Sequence, residues 1–221
     1  KTYTTTADAT TGAYSVTVPE SDALPETSGT VYTVSITATD AAGNESPAST
    51  SSFTLDTNAP GAPTLIVTDD VGSVKGTVLN GASTDDTKPT ISGVAEAGST
   101  VEVTLNGKTY TTTADATTGA YSVTVPDADE LTTDASYTVS VTATDAAGNK
   151  SDAVTTSFVL DTTPPDAADM TVVVTDDVGA ETGELTDGEV TDDTKPTISG
   201  VAEAGSTVEV TLNGKTYTTT A

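Results

Sequence analysis

The stretch TVEVTLNGKTYTTT, residues 100–113, decides the fold class of this chain. Apolar and polar residues alternate over residues 100–105, which is the period-two pattern of a strand with one buried face. Asn106 and Gly107 follow, and both tolerate the positive φ angles of a type I′ turn; a second strand-like run then covers residues 109–113. The stretch therefore predicts a two-residue β-hairpin.

The hairpin sequence returns at a fixed spacing along the chain. The tripeptide Lys-Thr-Tyr begins at Lys1, Lys108 and Lys215, so the repeat period is 107 residues. Residues 84–114 are reproduced without change at residues 191–221. Such uniform repetition predicts tandem copies of one domain, and it favours a spacer over a set of distinct binding sites.

The second repeat, residues 59–163, contains seven short strand-like runs separated by turn signals. They cover residues 64–68, 89–95, 100–105, 109–113, 121–125, 136–144 and 155–160. This number of short strands in a domain of such length is typical of an immunoglobulin-like β-sandwich. We therefore predict an all-β fold of tandem immunoglobulin-like β-sandwich repeats, joined by short proline-containing linkers. The predicted core residues are Ile91, Val101, Val103, Leu105, Tyr121, Val123, Val125, Tyr137, Val139, Val141, Phe158 and Leu160.

Two related segments, residues 55–60 and 160–165, are predicted to be the joints between domains. Each ends a strand-like run with an aspartate, Asp56 or Asp161, and then stiffens the chain with proline. The predicted division is residues 1–58 for the later strands of one repeat, 59–163 for a complete repeat, and 164–221 for the early strands of a third.

The first and last repeats are predicted to hold complementary sets of strands. Strands are expected over residues 14–18 and 31–39, with another running through Leu55, whereas the last repeat stops after its hairpin. Each set alone exposes sheet edges and half a core. We hypothesise that the tail of one molecule completes the head of the next, the alternative being that both belong to a continuous array of identical neighbouring repeats.

The composition limits the classes of function. The net charge is −26, and cysteine, histidine and tryptophan are absent. Disulfides, thiolate or imidazole metal sites and histidine catalysis are therefore excluded. The acidity argues against nucleic acid and anionic membranes, which reward lysine and arginine, and no apolar run is long enough to insert into a membrane. The charge favours a cation as the ligand.

Acidic and amide side chains occur in loops that are expected to meet at a joint. In such a sandwich, the loop after the second strand and the loop before the last strand return to the end where the chain comes in. Glu96, Asp145 and Asn149 should therefore face Asp56. Carboxylate, amide and main-chain oxygens at about 2.3–2.6 Å are what calcium prefers, so the sequence predicts a Ca²⁺ site there.

A second acidic group is expected at the other end of the domain, near Asp161. It consists of paired aspartates in the connection between the first and second strands, and it returns in the third repeat. Its members are Asp69, Asp70, Asp85 and Asp86, with the copies Asp176, Asp177, Asp192 and Asp193. Incomplete equivalents of the first group are Asp40 with Asn44, and Glu203.

The motifs carry a resemblance that covers the whole chain. Asp-Thr-x-x-Pro, Thr-Asp-Asp-Val-Gly, Thr-Asp-Asp-Thr-Lys-Pro, Gly-x-Ala-Glu-Ala-Gly-Ser-Thr-Val and Thr-Asp-Ala-Ala-Gly-Asn follow one another in this order. This order resembles the bacterial Ig-like extender repeats of giant repeats-in-toxin adhesins exported by type I secretion. The resemblance implies an extracellular rod on a Gram-negative cell surface, stiffened by calcium at its linkers, that projects a terminal binding domain. It assigns the linker role to Asp56, Glu96, Asp145, Asn149, Asp161 and Glu203.

The acidic loops also have simpler interpretations. Asp145 and Asn149 are residue types that cap tight turns, and Asp115 is interpreted as a turn residue only. The paired aspartates of the second group are alternatively solvated loop acids that keep a threonine-rich surface soluble. The glycosylation sequons at Asn44 and Asn149 are interpreted as coincidental.

An enzyme and a ligand-binding module are the two alternatives to a spacer. A glycosidase needs a cleft with stacking aromatics and two carboxylates in different environments, so the tryptophan-free, repeated acids predict no enzyme and no small-molecule substrate. A ligand-binding module is the main alternative, because Thr109, Thr111 and Thr113 form a row suited to ice, carbohydrate or another cell surface. Threonine is, however, also favoured in strands for packing reasons alone.

Overall fold

The computed structural model describes residues 1–25, 27 and 29–221. It separates into two compact units, Lys1–Leu160 and Asp161–Ala221, which are described one at a time. The division into three repeats made from the sequence stays a prediction. Among the described residues, no helix is long and apolar enough to cross a membrane.

The first unit begins with a hairpin that belongs to the first repeat. Strands β1 (Thr30–Ile36) and β2 (Ser49–Leu55) pair antiparallel, with Tyr32 opposite Phe53. The two rings stack with their centroids 5.7 Å apart. The strand predicted over residues 31–39 is therefore present but ends at Ile36.

The second repeat forms two sheets that enclose one core. Strands β4, β3, β6 and β9 form one sheet in that order, and β5, β11, β10, β7 and β8 form the other. The strands are β3 (Ile66–Asp69), β4 (Gly76–Val78), β5 (Ser83–Thr84), β6 (Thr90–Val94), β7 (Thr100–Leu105), β8 (Lys108–Thr113), β9 (Ala120–Thr124), β10 (Ser136–Thr144) and β11 (Val154–Leu160). Short 3₁₀ turns lie at Glu20–Asp22, Asp127–Asp129 and Ala167–Asp169.

All seven predicted strands of this repeat are present, but β4 and β5 were missed. These two strands have three and two residues, and each pairs with a single neighbour. A run that short contains too few residues to show a period-two alternation. Only the pairing of β4 with β3, and of β5 with β11, identifies them.

The β7–β8 hairpin has the predicted geometry. Leu105 lies opposite Lys108, and the two turn residues have positive φ angles of 50° at Asn106 and 73° at Gly107. Asparagine and glycine are the residues that adopt this left-handed region at the lowest cost. The hairpin prediction is confirmed.

The core is the one expected from the alternation, with one exception and several additions. Every predicted core residue is buried except Val123, which is half-buried. Tyr137 and Phe158 stack with ring centroids 5.8 Å apart. The buried residues that the alternation did not identify are Val67, Ala114, Leu131 and Ala143.

The strand predicted over residues 14–18 is absent, so this prediction was wrong. These residues correspond to β9, which pairs with β6 in the second repeat, where Ile91 lies opposite Val123. The first repeat contains no copy of β6 within this chain. Without a neighbour that supplies hydrogen bonds, the alternating sequence is not sufficient to form a strand.

The second unit contains two separate small sheets. Strands β12 (Val173–Asp176), β13 (Gly183–Leu185) and β14 (Thr197–Ser199) form the first, in the order β13, β12, β14. Strands β15 (Thr207–Leu212) and β16 (Lys215–Thr220) form a hairpin. They correspond in sequence to β3, β4, β6, β7 and β8 of the second repeat.

Candidate functional site

The loop after β10 is a turn built around one carboxylate. Asp145 Oδ1 accepts hydrogen bonds from the main-chain N–H groups of Ala147 (2.9 Å) and Asn149 (2.8 Å), and Asn149 Nδ2 donates to Asp145 Oδ2 (2.8 Å). The bond from the Asn149 side chain, together with the main-chain donors, holds the pKa of Asp145 below its usual range. The interpretation of both residues as turn caps is confirmed.

The same loop reaches the preceding joint. Asn149 Nδ2 also donates to the main-chain oxygen of Asp56 at 3.2 Å. The carboxylate of Asp56 folds back on its own joint, where Oδ1 accepts from the N–H of Asn58 at 3.1 Å, and Pro60 is buried. Of the loop residues selected from the sequence, Asn149 therefore bonds directly to the linker main chain, and Asp145 is connected to it through the Asn149 side chain.

Glu96 contributes less to this arrangement than predicted. Its side chain is exposed, and its main-chain oxygen accepts from the N–H of Ser99 at 3.0 Å. The hydroxyl oxygen of Ser99 is buried and has no hydrogen-bond partner in the part of the chain that the structure describes. Over that same part, no three metal-binding side chains are grouped in a way that could hold an ion, so calcium at this end stays a prediction.

The first repeat contains the same turn without the incoming joint. Asp40 Oδ1 accepts from the N–H groups of Ala42 (2.9 Å) and Asn44 (2.8 Å), and Asn44 Nδ2 donates to Asp40 Oδ2 (2.9 Å). The side chain of Asn44 is again the main cause that lowers the pKa of the aspartate. Because these distances match those of the second repeat within 0.1 Å, the turn is encoded by its own five residues.

The second acidic group lies at the opposite end of the second repeat and is partly buried. Asp69, Thr84 and Asp86 are exposed by only 6%, 5% and 2%. The hydroxyl of Thr84 donates to Asp69 Oδ2 at 2.5 Å and accepts from the N–H of Asp86 at 3.1 Å. The alternative that these acids are solvated is therefore wrong for Asp69 and Asp86, whereas Asp70 and Asp85 are exposed.

Burial disfavours the charged form of the Asp86 carboxylate. Desolvation raises its pKa, and the charges of Asp70 and Asp69 act in the same direction. Main-chain N–H groups of Lys88 (2.8 Å) and Asp70 (3.3 Å) donate to it and oppose the shift. A cation at this end would lower the energy of the charged form of Asp86.

The third repeat reproduces the buried part of this group. Thr191 Oγ1 donates to Asp176 Oδ2 at 2.5 Å, which lowers the pKa of Asp176, and it accepts from the N–H of Asp193 at 2.9 Å. Asp193 Oδ1 accepts from Lys195 N–H at 2.6 Å, while its Oδ2 is buried with no hydrogen-bond partner in the described chain. Asp177 and Asp192, the copies of the exposed pair, are again exposed.

The threonines that organise these clusters were not among the residues predicted from the sequence. Thr84 and Thr191 stand directly before the paired aspartates in both copies of Thr-Asp-Asp-Thr-Lys-Pro. The repetition of the threonine was an available signal, because a hydroxyl can donate to one carboxylate and accept from the next residue but one. Charge patterns alone do not identify a neutral hydroxyl of this kind.

The remaining candidates, Asp161 and Glu203, take part in local turns. Asp161 Oδ1 accepts from the N–H of Thr163 at 3.2 Å, which repeats the arrangement of Asp56. The main-chain oxygen of Glu203 accepts from Ser206 N–H at 3.0 Å, as Glu96 does from Ser99. Both side chains are exposed within the second unit.

A shallow polar recess of about 550 Å³ lies beside the β7–β8 turn and the start of β10. Tyr137 is its aromatic residue, but the ring stacks on Phe158 and its hydroxyl donates to the main-chain oxygen of Thr133 at 2.9 Å. Because Tyr137 is only 9% exposed, its ring offers little area for stacking on a sugar. The recess therefore adds no support to a carbohydrate site.

Comparison with known proteins supports the bacterial assignment. Residues 62–162 match a family model described as a bacterial Ig-like domain, and residues 1–57 match a second model with the same description. One similar solved structure concerns the host cell surface retention of a 1.5-MDa bacterial ice-binding adhesin; it shares 24% identity, with a TM-score of 0.34. The alignment covers 87% of this chain and 60% of that one. No match was found among curated proteins.

These matches agree with the observed architecture. The all-β class with immunoglobulin-like sandwich repeats is confirmed, as is the resemblance to bacterial Ig-like repeats. The two matched regions together account for most of the chain and meet near Pro60, within the proline-containing joint. Residues 62–162 and residues 1–57 are therefore each similar to bacterial Ig-like domains.

Proposed function

We propose that this chain is a non-enzymatic extender segment of a bacterial surface adhesin, in which calcium at the joints stiffens successive Ig-like domains into a rod. The rod would project a ligand-binding domain away from the cell that exports it by type I secretion. The observation that carries the proposal is the contact between the Asn149 side chain and the main-chain oxygen of Asp56. It joins the loop of one domain to the linker that precedes it.

The residues proposed as calcium ligands at this joint suit calcium chemically. Asp145 is kept ionised by its lowered pKa, Asp56 and Glu96 add carboxylates, and the amide of Asn149 adds an oxygen. Calcium binds six to eight such oxygens and tolerates irregular geometry. The hydroxyl of Ser99, which is buried with no hydrogen-bond partner among the described residues, is a further polar group at this end that a ligand or a water would satisfy.

The second acidic group supports a further calcium position at the opposite end of each domain. Asp69 and Asp86 are buried carboxylates with a raised pKa at Asp86, and the exposed Asp70 and Asp85 are adjacent to them in sequence. Two unit charges about 4 Å apart repel by roughly 4 kcal/mol at an effective dielectric constant near 20. A bound cation would replace that repulsion with attraction.

Repetition and charge support a spacer over an enzyme or a receptor. Residues 84–114 and 191–221 are identical, which is expected when the copies share one mechanical task. The net charge of −26 disfavours compact packing of neighbouring domains unless cations are present. The joints would therefore be loose in a cell interior poor in free calcium and stiff in the medium outside.

Small-angle scattering on a chain of several whole repeats tests the proposal, first in millimolar calcium and then in chelator. We expect the maximum dimension to fall, or its distribution to broaden, when calcium is removed. At a free calcium concentration of a hundred times Kd, each site adds about 2.7 kcal/mol to the bound state. Equal length and width in both conditions would refute calcium stiffening.

A double variant tests whether the response of the rod's dimensions to calcium arises at the joint. Glu96→Ala with Asp145→Ala should remove the response to calcium while far-ultraviolet circular dichroism shows the sandwich still folded. Asp115→Ala is the matched control, because Asp115 is an exposed acidic residue in the loop adjacent to Glu96, and its carboxylate caps its own turn. A control variant that loses the response to the same extent would show a general effect of charge.

A further inference from the structure

The chain enters and leaves the second repeat at opposite ends of the sandwich. The loop that contains Asn149 precedes β11 and bonds to the main chain of Asp56 in the incoming joint. Strand β11 therefore begins near the entry end and runs away from it to Leu160, where the chain leaves the repeat. Tension along the chain consequently acts along the first strand, β3, and along the last strand, β11.

The first and last strands of the second repeat are held unequally. Strand β11 is seven residues long; it pairs with β10 over six residues and with β5 at its end. Strand β3 has only four residues and pairs with β6 and with β4 over three residues each. Because the entry strand has the shorter set of hydrogen bonds, we expect tension to open the second repeat at β3 first.

Thr64, two residues before β3, adds a fastening at this weaker strand. Its N–H donates to the main-chain oxygen of Val94 at 2.9 Å, and the N–H of Val94 donates to Thr64 Oγ1 at 2.8 Å. In an ordinary antiparallel pair, the second bond goes to a main-chain oxygen. Here the threonine hydroxyl accepts it, which leaves the main-chain oxygen of Thr64 available to another donor.

That donor is the hydroxyl of Tyr121 in β9. It donates to the main-chain oxygen of Thr64 at 2.6 Å, and the tyrosine is only 4% exposed. The close approach requires Gly93, because a Cβ at this position would overlap both the Thr64 oxygen and the Tyr121 hydroxyl. Pro60 and Pro63 are buried as well, so the chain is packed against the protein between the joint and Thr64.

The third repeat reproduces the threonine pair. The N–H of Thr171 donates to the main-chain oxygen of Val201 at 2.9 Å, and the N–H of Val201 donates to Thr171 Oγ1 at 2.8 Å. Gly200 again provides the space, because a Cβ there would overlap the main-chain oxygen of Thr171. The residues on either side of Thr171 differ from those beside Thr64, so the threonine is kept although its surroundings are not.

We propose that Thr64, Gly93, Val94 and Tyr121 form an entry clamp, through which the second repeat resists tension at the point where the chain enters it. The bonds from Thr64 and β3 to β6 lie across the direction of pull, so they are loaded together and must break together. Tyr121 passes part of the load to β9, the next strand of the sheet. The inference rests on the proposed extender function, because a rod that tethers a cell is under tension, but it requires no calcium.

Single-molecule pulling on the full chain in chelator tests the entry clamp. The chain contains no cysteine, so one cysteine added at each terminus gives specific attachment points. Unfolding of the second repeat is recognised by a gain in length of about 30 nm, the extended length of about 100 residues less that of the folded domain. At constant force, Tyr121→Phe and Thr64→Val should each unfold about three to ten times faster than the unchanged chain, the factor expected for one hydrogen bond.

Tyr137→Phe is the matched control. Tyr137 is also buried, and its hydroxyl also donates to a main-chain oxygen, that of Thr133 at 2.9 Å. This bond joins β10 to the loop just before it and does not hold the entering chain. Tyr121→Phe and Tyr137→Phe should therefore lower the urea unfolding midpoint to a similar extent, whereas only Tyr121→Phe should unfold faster under force.

Two results would overturn the proposal. One is an unchanged unfolding rate under force for Tyr121→Phe and Thr64→Val in chains that circular dichroism shows to be folded. The other is a Tyr137→Phe chain that unfolds under force as fast as the Tyr121→Phe chain. Because all these measurements are made in chelator, failure of the entry clamp is distinct from failure of calcium stiffening, which scattering measures.

Discussion

The second and third repeats share the identical sequence 84–114 and 191–221, yet the structure gives the two copies different burial. Leu105 is 1% exposed and Leu212 is 47% exposed. In contrast, the turns that follow are the same, with φ of 50° at both Asn106 and Asn213. The comparison teaches that a turn is encoded within its own few residues, whereas burial requires partner strands from elsewhere in the chain.

The largest expected effect comes from removing a phenylalanine ring that is buried in the second repeat and exposed in the first. Phe158→Ala should destabilise the second repeat by about 3–5 kcal/mol, because a fully buried ring leaves a cavity. Phe53→Ala should cost less than about 1 kcal/mol, because its ring is 46% exposed. Urea unfolding followed by circular dichroism, at a protein concentration low enough for single chains, measures both.

The two phenylalanine variants must differ for the comparison to hold. Equal losses would mean that the first repeat is as well packed as the second. Thr54→Ala in β2 is a control at an exposed position, and it should leave the unfolding midpoint almost unchanged.

An intermediate effect is expected from Tyr121, the copy of Tyr14. Burial raises the pKa of Tyr121 to about 12, and its hydroxyl donates to the main-chain oxygen of Thr64 at 2.6 Å. A raised pKa means that the stabilisation is complete below the unfolded value near 10 and is lost as the pH rises towards 12. A shift of this size corresponds to about 3 kcal/mol.

The tyrosine prediction is measured by comparing the unchanged chain with Tyr121→Phe. The unchanged chain should lose stability relative to the variant as the pH rises from 10 to 12, the interval between the unfolded and folded pKa of Tyr121. The unfolding free energies of the two proteins should therefore converge or cross. Tyr14→Phe, which alters the exposed copy, should give no such convergence. A pH dependence shared by both variants would assign it to other groups.

The smallest expected difference is between two copies of one turn. Asp115 Oδ1 accepts from the N–H groups of Thr117 (3.0 Å) and Thr118 (2.7 Å), and Asp8 in the first repeat accepts equivalent bonds at 3.0 and 2.7 Å. The main-chain bond from the second threonine is the main cause that lowers the pKa of each aspartate. The interpretation of Asp115 as a turn residue is confirmed.

Carbon-13 NMR titration of the two carboxyl groups checks this equality. Both should titrate below the ordinary aspartate value, so the stabilisation from each turn is present above that value and is lost as the pH falls through the lowered pKa. Thr118→Ala should raise the pKa of Asp115 and leave Asp8 unchanged. A difference between Asp115 and Asp8 in the unchanged chain would show that the rest of the domain contributes to the turn.

In the candidate site, as in the fold, the local turns were predictable from the sequence and the burial was not. Asp145 and Asn149 were identified from residue types that form turns, and the contact of Asn149 with the Asp56 main chain agrees with loops that return to the joint. The burial of Asp69 and Asp86 was not predictable from a polar sequence, because it depends on the end of β3 meeting β5 and the loop that follows β5, where Thr84 bonds both residues. Charge patterns indicate where acids lie along a chain and do not indicate their exposure.

The sequence by itself determined the repeat, the turns, and the inward face of each long strand, because these depend on spacing and on residues a few positions apart. Tertiary structure alone decided that residues 14–18 form no strand, that β4 and β5 exist, and that Val34 is exposed while Val139 is buried. The physical reason is that a strand obtains its hydrogen bonds and its buried area from neighbours distant in sequence. The same residues therefore take different states where those neighbours differ.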